Sequence, residues 1–418
     1  MTVLRRFAIH GFKSLESVEL QLPRLAVFAG PNAAGKSNLL DAIQMLARVG
    51  TERTLAEALS DPIRGFPTEA FTLPPGGLPD LLAQPHAMLT LEADLEVADV
   101  KANGSPERVR YKVEIEVDPD AGSLRVADEY LTALDRSWKP KGKPRIEREG
   151  GHLILRRARG SGRPPNEPLG LGHTLLSDAR HSGTSYPLFD SVRGEFRRWR
   201  AYYLDPLTAM RAAQPPREVP DIDVHGENLA PFLYGLKTRD PKAFDAVRRS
   251  LRAAVPAVSD LEVDLDTKRG TLDIQIKQDG TLFSSRVVSE GTLRVLGLCA
   301  IAVTASGGIV AFEEPENGVQ PQRLDRIADL LTSAARRGSA QIILTTHSPG
   351  FIAAMLERAR PEGHDIGLFG VARNGRTTVI RPIRDPGVWS EPALDELLTE
   401  PDEHDKIAAL ARRGWLDL

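Results

Sequence analysis

Short apolar runs alternate with polar breaks over residues 3–29 of the chain. They predict three strands, over VLRRFAIHGF, VELQL and LAVFAG. The third run leads into the glycine-rich segment Gly30–Ser37, and the residues after it are apolar at helical spacing, with Leu39, Ile43 and Leu46 on one face. The pattern therefore predicts a strand, a glycine-rich loop and a helix in direct succession.

The middle of the chain is typical of a second sheet. Between residues 87 and 157, Gly, Asn and Pro separate the strand-like runs LTLEADLEV, RVRYKVEIEV, SLRVADEYLTAL and GHLILRRA, which predict an antiparallel sheet. Residues 158–172 are rich in Gly, Pro and Arg, so we expect a solvated loop there. Two helices are predicted further on, at Pro187–Arg200 and Lys242–Ala254.

Helices and strands alternate from Val287 onward. Helices are predicted at 289–304, 321–336 and 349–358, and strands at 309–312 and 341–345. Such alternation is typical of βαβ units with a parallel sheet. The runs IGLFGVAR and TTVIRPI predict a hairpin over Asn374–Gly375, followed by a short helical tail. There is no heptad run, so long coiled-coil arms are not expected.

One apolar stretch allows a second interpretation. Val295–Phe312 contains no charged residue and reaches the length of about 18 residues at which a membrane span becomes a candidate. Gly307 and Gly308 interrupt it, however, and strands buried on both faces of a parallel sheet also form continuous apolar runs. We therefore expect a helix, a turn and a buried strand, and a membrane span is the alternative.

Length, charge and cysteine content limit the picture further. We expect 418 residues to form two or three units, divided at 1–135, 136–285 and 286–418. The net charge of −3 gives no overall attraction to nucleic acid, so any such contact requires a local patch. Cys299 is the single cysteine, and the N-terminal residues lack the apolar run of a secretory signal, so we expect a cytoplasmic location.

The glycine-rich segment carries the first chemical signal. Gly30, Gly35, Lys36 and Ser37 fulfil the pattern G-x-x-x-x-G-K-S between a predicted strand and a predicted helix. Backbone N–H groups in such a loop point at phosphate oxygens, and the helix N-terminus adds partial positive charge. We predict that Lys36 binds the β- and γ-phosphates of a nucleotide and that the Ser37 hydroxyl binds Mg²⁺.

A phosphate-binding loop of this kind, a P-loop, needs an acidic residue at the end of a buried strand. Two adjacent acids follow the apolar run IVAF. We predict that Glu313 lies on the metal side and that Glu314 is the general base for the attacking water. The alternative is that both acids stabilise a helix N-terminus. His347 ends the next predicted strand, where ligands bind in open α/β sheets, and is predicted to contact the γ-phosphate.

Ser289 and Gly291 open the predicted helix 289–304. A helix N-cap is the default interpretation of these residue types at this position. The same geometry also provides a second anion site, whose N–H groups can meet the γ-phosphate bound to another protomer.

Five segments, in chain order, resemble the ABC/SMC-like AAA-domain ATPases: FKSL, GPNAAGKSN, SEGTLR, FEEPENGVQP and TTHSP. OLD-type nucleases carry the same module, and the strongest likeness is to stand-alone bacterial ATPases of this class. The resemblance implies an α/β fold, a P-loop NTPase of the ABC/SMC head type with an antiparallel β lobe and an inserted α/β region. The signature reads SEGT in place of SGGQ, and Glu313 replaces the commoner Asp; both are typical of the SMC-like branch.

The resemblance also implies roles. ATP and Mg²⁺ are the expected ligands, with Lys36, Glu314 and His347 catalytic, and with Ser37 and Glu313 at the metal. It implies a homodimer in which the signature of one subunit closes on ATP held by the other. The expected nucleotide contacts are Gly30, Pro31, Asn32, Ala33, Ala34, Gly35, Lys36, Ser37, Asn38, Ser289 and Gly291.

The resemblance leaves one motif of the family unassigned, the Q-loop glutamine. Gln84 is a candidate for it, whereas Gln44 is interpreted as helix surface.

Three functions fit such an ATPase. The first is an enzyme that acts with DNA, a separately encoded nuclease or another effector, in DNA repair or anti-phage defence. The second is the nucleotide-binding subunit of a membrane transporter, disfavoured because about 250 residues separate Lys36 from the signature. The third is a P-loop kinase or G protein. It is disfavoured because those proteins lack a signature helix between the P-loop and an acid pair.

A basic stretch is the candidate DNA contact, with Trp138 as a stacking residue; a solvated charged loop is the alternative. The stretch comprises Lys139, Lys141, Lys143, Arg145, Arg156, Arg157, Arg159 and Arg163.

Overall fold

The computed structural model describes most of the chain. The described residues are 4–60, 62–84, 86–98, 106–118, 122–158, 164–337, 340–359 and 366–383. The predicted C-terminal helical tail lies outside these residues, as do Arg159 and Arg163 of the basic stretch.

An eight-stranded antiparallel sheet forms one layer, in the order β2-β1-β4-β5-β6-β7-β8-β9. Its strands alternate between buried apolar and more exposed polar residues, as the sequence predicts; in β5, Tyr111 and Val113 are fully buried while Arg110 and Lys112 face outward. The strands are β1 Leu4–Phe12, β2 Leu15–Gln21, β4 Ala87–Val97, β5 Glu107–Val117, β6 Leu124–Leu134, β7 Ile146–Glu149, β8 His152–Leu155 and β9 Asn166–Pro168.

A six-stranded sheet, in the order β10-β14-β15-β3-β16-β17, forms the central layer. All its neighbours are parallel except β16 and β17, which form the predicted antiparallel hairpin. β3 and β15 are buried along their whole length, which explains their continuous apolar sequences. The strands are β3 Leu25–Ala29, β10 Arg200–Tyr202, β14 Ile309–Glu313, β15 Gln341–Thr346, β16 Ile366–Asn374 and β17 Thr377–Pro382.

Helices cover the central sheet on both faces. Most predicted helices occur within a few residues of their predicted bounds, but the one expected at Pro187–Arg200 ends at Phe196, and the chain then enters β10. The helices are α1 Lys36–Val49, α2 Leu55–Ala58, α3 Leu78–Leu82, α4 Pro187–Phe196, α5 Leu229–Arg239, α6 Pro241–Ala254, α7 Glu290–Thr304, α8 Leu324–Arg336 and α9 Pro349–Ala359.

A third, three-stranded antiparallel sheet was not predicted. It comprises β11 Val258–Asp266, β12 Thr271–Gln278 and β13 Thr281–Ser284. Apolar and polar residues alternate in β11 and β12, the pattern of half-buried strands, and β13 is exposed along most of its length.

The uncharged stretch Val295–Phe312 is divided as expected. Helix α7 ends at Thr304, Gly307 and Gly308 turn the chain with φ of 81° and 70°, and β14 follows. None of the helices among the described residues combines the length and hydropathy that a bilayer span requires.

The central sheet separates two hydrophobic cores. Alternate residues of β3 face opposite ways: Leu25 and Val27 pack with α5–α8 and the three-stranded sheet, whereas Ala26 and Phe28 pack with α1 and the antiparallel sheet. Both cores therefore meet at the strands that carry the predicted site. The division at 1–135, 136–285 and 286–418 stays a prediction.

Candidate functional site

The glycine-rich loop lies between β3 and α1, as predicted. Ala33 and Gly35 adopt left-handed backbone conformations, with φ of 64° and 102°, which curl the loop as in the backbone concavities that bind anions. The Lys36 ammonium donates hydrogen bonds to the carbonyl oxygens of Gly30 and Pro31, at 2.8 and 3.0 Å. Lys36 is almost fully buried, and this burial lowers the pKa of its side chain against the opposing effect of the nearby Glu314 carboxylate.

Both glycines of the loop stand where a side chain does not fit. A Cβ atom on Gly30 would lie 2.1 Å from the carbonyl oxygen of Val371 in β16. One on Gly35 would lie 2.0 Å from Oγ1 of Thr378 in β17. The β16–β17 hairpin thus packs directly on the loop, which the G-x-x-x-x-G pattern alone does not reveal.

A chain of hydrogen bonds fixes the loop to this hairpin. Asn38 Nδ2 donates to Ser14 Oγ at 2.8 Å, Ser14 lies 2.7 Å from Thr378 Oγ1, and Thr378 donates to the carbonyl oxygen of Ala34 at 2.8 Å. Asn38, predicted to contact nucleotide, therefore directs its amide to Ser14. Ser14 belongs to the recognised FKSL segment, but Thr378 carries no sequence signal.

The two predicted acids face the start of α1. Glu313 ends β14 and accepts a short hydrogen bond from the Ser37 hydroxyl. Glu314 has a left-handed backbone, with φ of 46°, a strained conformation for a residue with a side chain. Its Oε1 lies 2.7 Å from His347 Nδ1 and 3.8 Å from Lys36 Nζ.

The structure thus brings five predicted residues to one place: Lys36, Ser37, Glu313, Glu314 and His347. Asn317 holds the other oxygen of Glu314, through a hydrogen bond of 2.7 Å from its Nδ2. Neither acid begins a helix, because the chain continues into a turn after Glu314. The alternative of helix N-terminal charges is therefore wrong. Asn317 was missed although it lies within the recognised FEEPENGVQP segment.

Glu316 is a buried acid that the sequence analysis did not single out. It is 4% exposed and accepts a short hydrogen bond from Thr346 Oγ1 at the end of β15. Burial raises the pKa of this carboxyl group to about 7, against the lowering effect of the Thr346 hydroxyl.

Ser289 forms the N-cap of α7, the default interpretation of this residue. Its Oγ accepts a hydrogen bond from Thr292 N at 3.3 Å. Gly291 lies in the first turn, where an added Cβ would stand 2.1 Å from the carbonyl oxygen of Gly318. The start of α7 therefore packs on the loop that follows Glu314. Contact with nucleotide on another protomer stays a prediction.

Gln44 was interpreted as helix surface, and this is wrong. The residue is 8% exposed, and its Nε2 donates to the Tyr203 hydroxyl at 3.1 Å. Its position on α1 faces the segment after β10, which the sequence did not predict to pack there. Gln84 lies in an exposed turn after α3, and the Q-loop residue stays unassigned.

The described part of the basic stretch is only partly available to a ligand. Arg156 forms ion pairs with Glu147 and with Glu149, the latter at 2.9 Å. The Arg108 guanidinium lies 5.0 Å from the centre of the Trp138 ring, so one ring face is already in contact with a cation. The side chains that stay exposed are those of Lys139, Lys141, Lys143 and Arg157.

The donor atoms fit the ligands that the motifs predict. The hydroxyl of Ser37 and the carboxylate of Glu313 are the hard oxygen ligands that Mg²⁺ prefers. The curled loop, the helix N-terminus and the Lys36 ammonium together form a cradle for a polyphosphate. The site can therefore accommodate a magnesium nucleotide.

Comparison with protein families places this site in a known class. A model of the family described as "AAA domain, putative AbiEii toxin, Type IV TA system" matches residues 25–353. This is more than half of the chain, which therefore belongs to that family and is an ABC/SMC-like AAA P-loop ATPase, as predicted. The uncharacterized protein MJECL11 of Methanocaldococcus jannaschii is 26% identical over 92 residues, 22% of this chain and 81% of that protein.

A solved structure confirms the predicted fold. An SMC head, crystallised with the C-winged helix domain of ScpA, aligns over 91% of this chain and 98% of its own, with a TM-score of 0.51 and 14% identity. The SMC head domain from Thermotoga maritima aligns over 91% and 99%, with a TM-score of 0.43 and 15% identity. The first of these likenesses shows that the fold is that of an ABC/SMC-type ATPase head.

Proposed function

We propose that the chain binds ATP with Mg²⁺ and hydrolyses it. The observation that carries this proposal is the joint position of Glu314, His347 and Lys36 beside a P-loop of standard form. The contacts of the Glu314 carboxylate with His347 and Asn317 fix its direction, as a general base requires.

The residues divide the chemistry among them. The loop N–H groups and the Lys36 ammonium hold the β- and γ-phosphates. Ser37 and Glu313 would hold Mg²⁺, which would supply positive charge to these phosphates. Glu314 accepts a proton from the water that attacks the γ-phosphorus, and the bond to the β–γ bridging oxygen breaks to give ADP and phosphate. His347 orients the Glu314 carboxylate and faces the γ-phosphate. The left-handed backbone of Glu314 is energetically unfavourable, and the precise orientation of its carboxylate accounts for this strain.

The proposal extends to assembly and context. We propose a homodimer closed by two nucleotides, with the N-terminus of α7 of each subunit facing the ATP of the other, and action with DNA or a nuclease or other effector in DNA repair or anti-phage defence. Support comes from the recognised segments, from the family description, which names the AbiEii toxin, and from the SMC head crystallised with ScpA. A cytoplasmic location stays a prediction.

The test is the Glu314→Gln variant. We expect ATP binding to be retained and hydrolysis to fall by about 10²–10⁴-fold, because the water loses its base while the phosphate cradle stays intact. Glu218→Gln, which changes an acid that is 83% exposed and paired with Arg239, is the matched control and should hydrolyse ATP normally.

Solution mass measured on the same Glu314→Gln protein tests the assembly. A doubling with ATP and Mg²⁺ is expected, and a further increase with duplex DNA supports the nucleic-acid role. Unchanged turnover in Glu314→Gln contradicts the general-base role; a monomer in every sample contradicts the homodimer.

A further inference from the structure

A buried carboxylate lies on α1, one turn beyond Ser37. Asp41 is fully buried and has three partners: Lys13 Nζ at 2.7 Å, the Arg64 guanidinium at 3.1 Å and the Tyr203 hydroxyl at 3.2 Å. A buried charge persists only when it is paired and hydrogen-bonded. Asp41 is therefore a fixed point to which these three side chains are tied.

Arg64 extends from this fixed point toward the metal side of the site. Its Nε and Nη2 bond Asp41 Oδ2, and its guanidinium lies 5.7 Å from the centre of the Tyr203 ring. The remaining nitrogen, Nη1, lies 3.8 Å from Glu313 Oε1, the same oxygen that accepts the Ser37 hydrogen bond. The Arg64 side chain is 50% exposed and can therefore move without disrupting a core.

The position of this guanidinium has an electrostatic consequence. Glu313 adds a negative charge where phosphates bind, and Arg64 offsets it together with the nearby Lys36 ammonium. A divalent cation bound by Ser37 and Glu313 would take over this compensation, and its positive charge would repel the guanidinium. Arg64 and the metal are thus alternative counter-charges for one carboxylate.

We propose that Arg64 is a positioning residue that compensates Glu313 until Mg²⁺ binds, and that Asp41 keeps it beside the site afterwards. The inference rests on the proposed binding of ATP and Mg²⁺ and adds an order to it. Arg64 supports nucleotide binding without metal and opposes the entry of the metal. Arg64 acts through Glu313 and does not contact the reacting atoms.

The test measures binding, not turnover. A fluorescent ATP analogue is titrated into wild type and Arg64→Gln in EDTA, and Mg²⁺ is then titrated into each analogue-loaded protein. For Arg64→Gln we expect the analogue to bind about fivefold more weakly in EDTA, and half-saturation with Mg²⁺ to occur at an about fivefold lower concentration. Arg64→Lys, which keeps the charge, should restore part of both values.

Two controls separate this role from a structural one. Arg200→Gln removes a guanidinium that is 42% exposed and bonded to Asp221 at 3.2 Å, and should leave both values unchanged. In a Glu313→Gln background, Arg64→Gln should have little further effect, because its target charge is gone.

The outcomes distinguish the two proposals. Equal weakening of analogue binding with and without Mg²⁺, or no change in Arg64→Gln, overturns the role of Arg64 while leaving the ATPase proposal intact. Wild-type protein that binds no analogue under either condition contradicts the proposed function itself.

Discussion

Gly291 shows how the candidate site depends on single residues. It lies in the first turn of α7, close to the backbone of Gly318 in the loop after Glu314. The sequence identifies it as part of a signature motif, and the structure adds a steric reason for glycine there. The φ of Gly291 is not in the left-handed region. Glycine is therefore required here because a side chain does not fit, and not because of its backbone conformation.

We expect Gly291→Ala to destabilise the protein. The added Cβ would lie 2.1 Å from a backbone oxygen that cannot rotate away, and such overpacking costs about 1–3 kcal/mol. Gly194→Ala in α4 is the matched control, since its Cβ would meet nothing within 4 Å, and helix propensity then favours alanine by about 0.5–1 kcal/mol. Thermal melts should move in opposite directions, and a common direction would contradict the steric argument.

The sequence identifies candidate site residues where they belong to local motifs. Each of Lys36, Ser37, Glu313, Glu314 and His347 follows a strand pattern in a fixed local order, and the structure brings them together, while their roles stay predictions. Residues that act through tertiary contacts carry no such signal. The residues of this second kind are Asp41, Arg64, Tyr203 and Thr378.

At the scale of elements, the β16–β17 hairpin forms one wall of the glycine-rich loop. Thr378 of β17 is 1% exposed and donates its hydroxyl to the carbonyl oxygen of Ala34. The sequence predicted the hairpin itself from its Asn374–Gly375 turn, but not its position against the loop. An element that ends far along the chain thus helps to fix the shape of the first motif.

We expect Thr378→Val to weaken ATP binding about tenfold. The free energy of unfolding should fall by less than the free energy of ATP binding. The substitution keeps the volume but leaves the Ala34 carbonyl without its buried partner, which costs about 1–3 kcal/mol and loosens the loop. Thr377→Val changes the neighbouring threonine, which bonds Glu16 at an exposed position, and should bind ATP normally. Equal affinity of the two variants would show that the hairpin does not position the loop.

The elements that were predicted and those that were missed differ in what determines them. The parallel strands and their helices follow from continuous apolar runs that alternate with helical patterns. Their order in the sheet, with β3 between β15 and β16, was not predicted. The three-stranded sheet was missed although apolar and polar residues alternate in β11 and β12; only β13, which is mostly exposed, gives no such pattern. The positions of β10 and α4 depend on packing against α1, which no local pattern records.

For the molecule as a whole, two carboxyl groups are buried in different parts of the fold. Glu129, fully buried in β6, accepts hydrogen bonds from Tyr111 and from backbone N–H groups, while Glu316 lies beyond β14. Burial raises the pKa of each group to about 7. In the unfolded chain both titrate near 4.5, so at pH 7 each group of the folded protein is still about half protonated, whereas the unfolded chain has lost both protons.

This difference predicts a stability that falls as pH rises. Both contributions are complete below about pH 4.5 and are lost as the pH rises through 7, on the order of 3 kcal/mol per group. The carboxyl groups whose pKa is lowered, such as those of Glu19 and Asp260, titrate below this range and leave the slope intact. Unfolding by urea at pH 5, 6, 7 and 8 measures the effect.

Glu316→Gln assigns part of that slope. The glutamine carbonyl can still accept the Thr346 bond, and its amide group replaces the Oε2 atom, which has no partner among the described residues. Between pH 5 and 8 we expect the free energy of unfolding of Glu316→Gln to fall about half as much as that of wild type. The surface variant Glu218→Gln should show the same fall as wild type. A wild-type free energy of unfolding that is flat or rising over this range would contradict the protonated state of both buried groups. A decline that persists in full in Glu316→Gln would assign it to Glu129 and the antiparallel sheet.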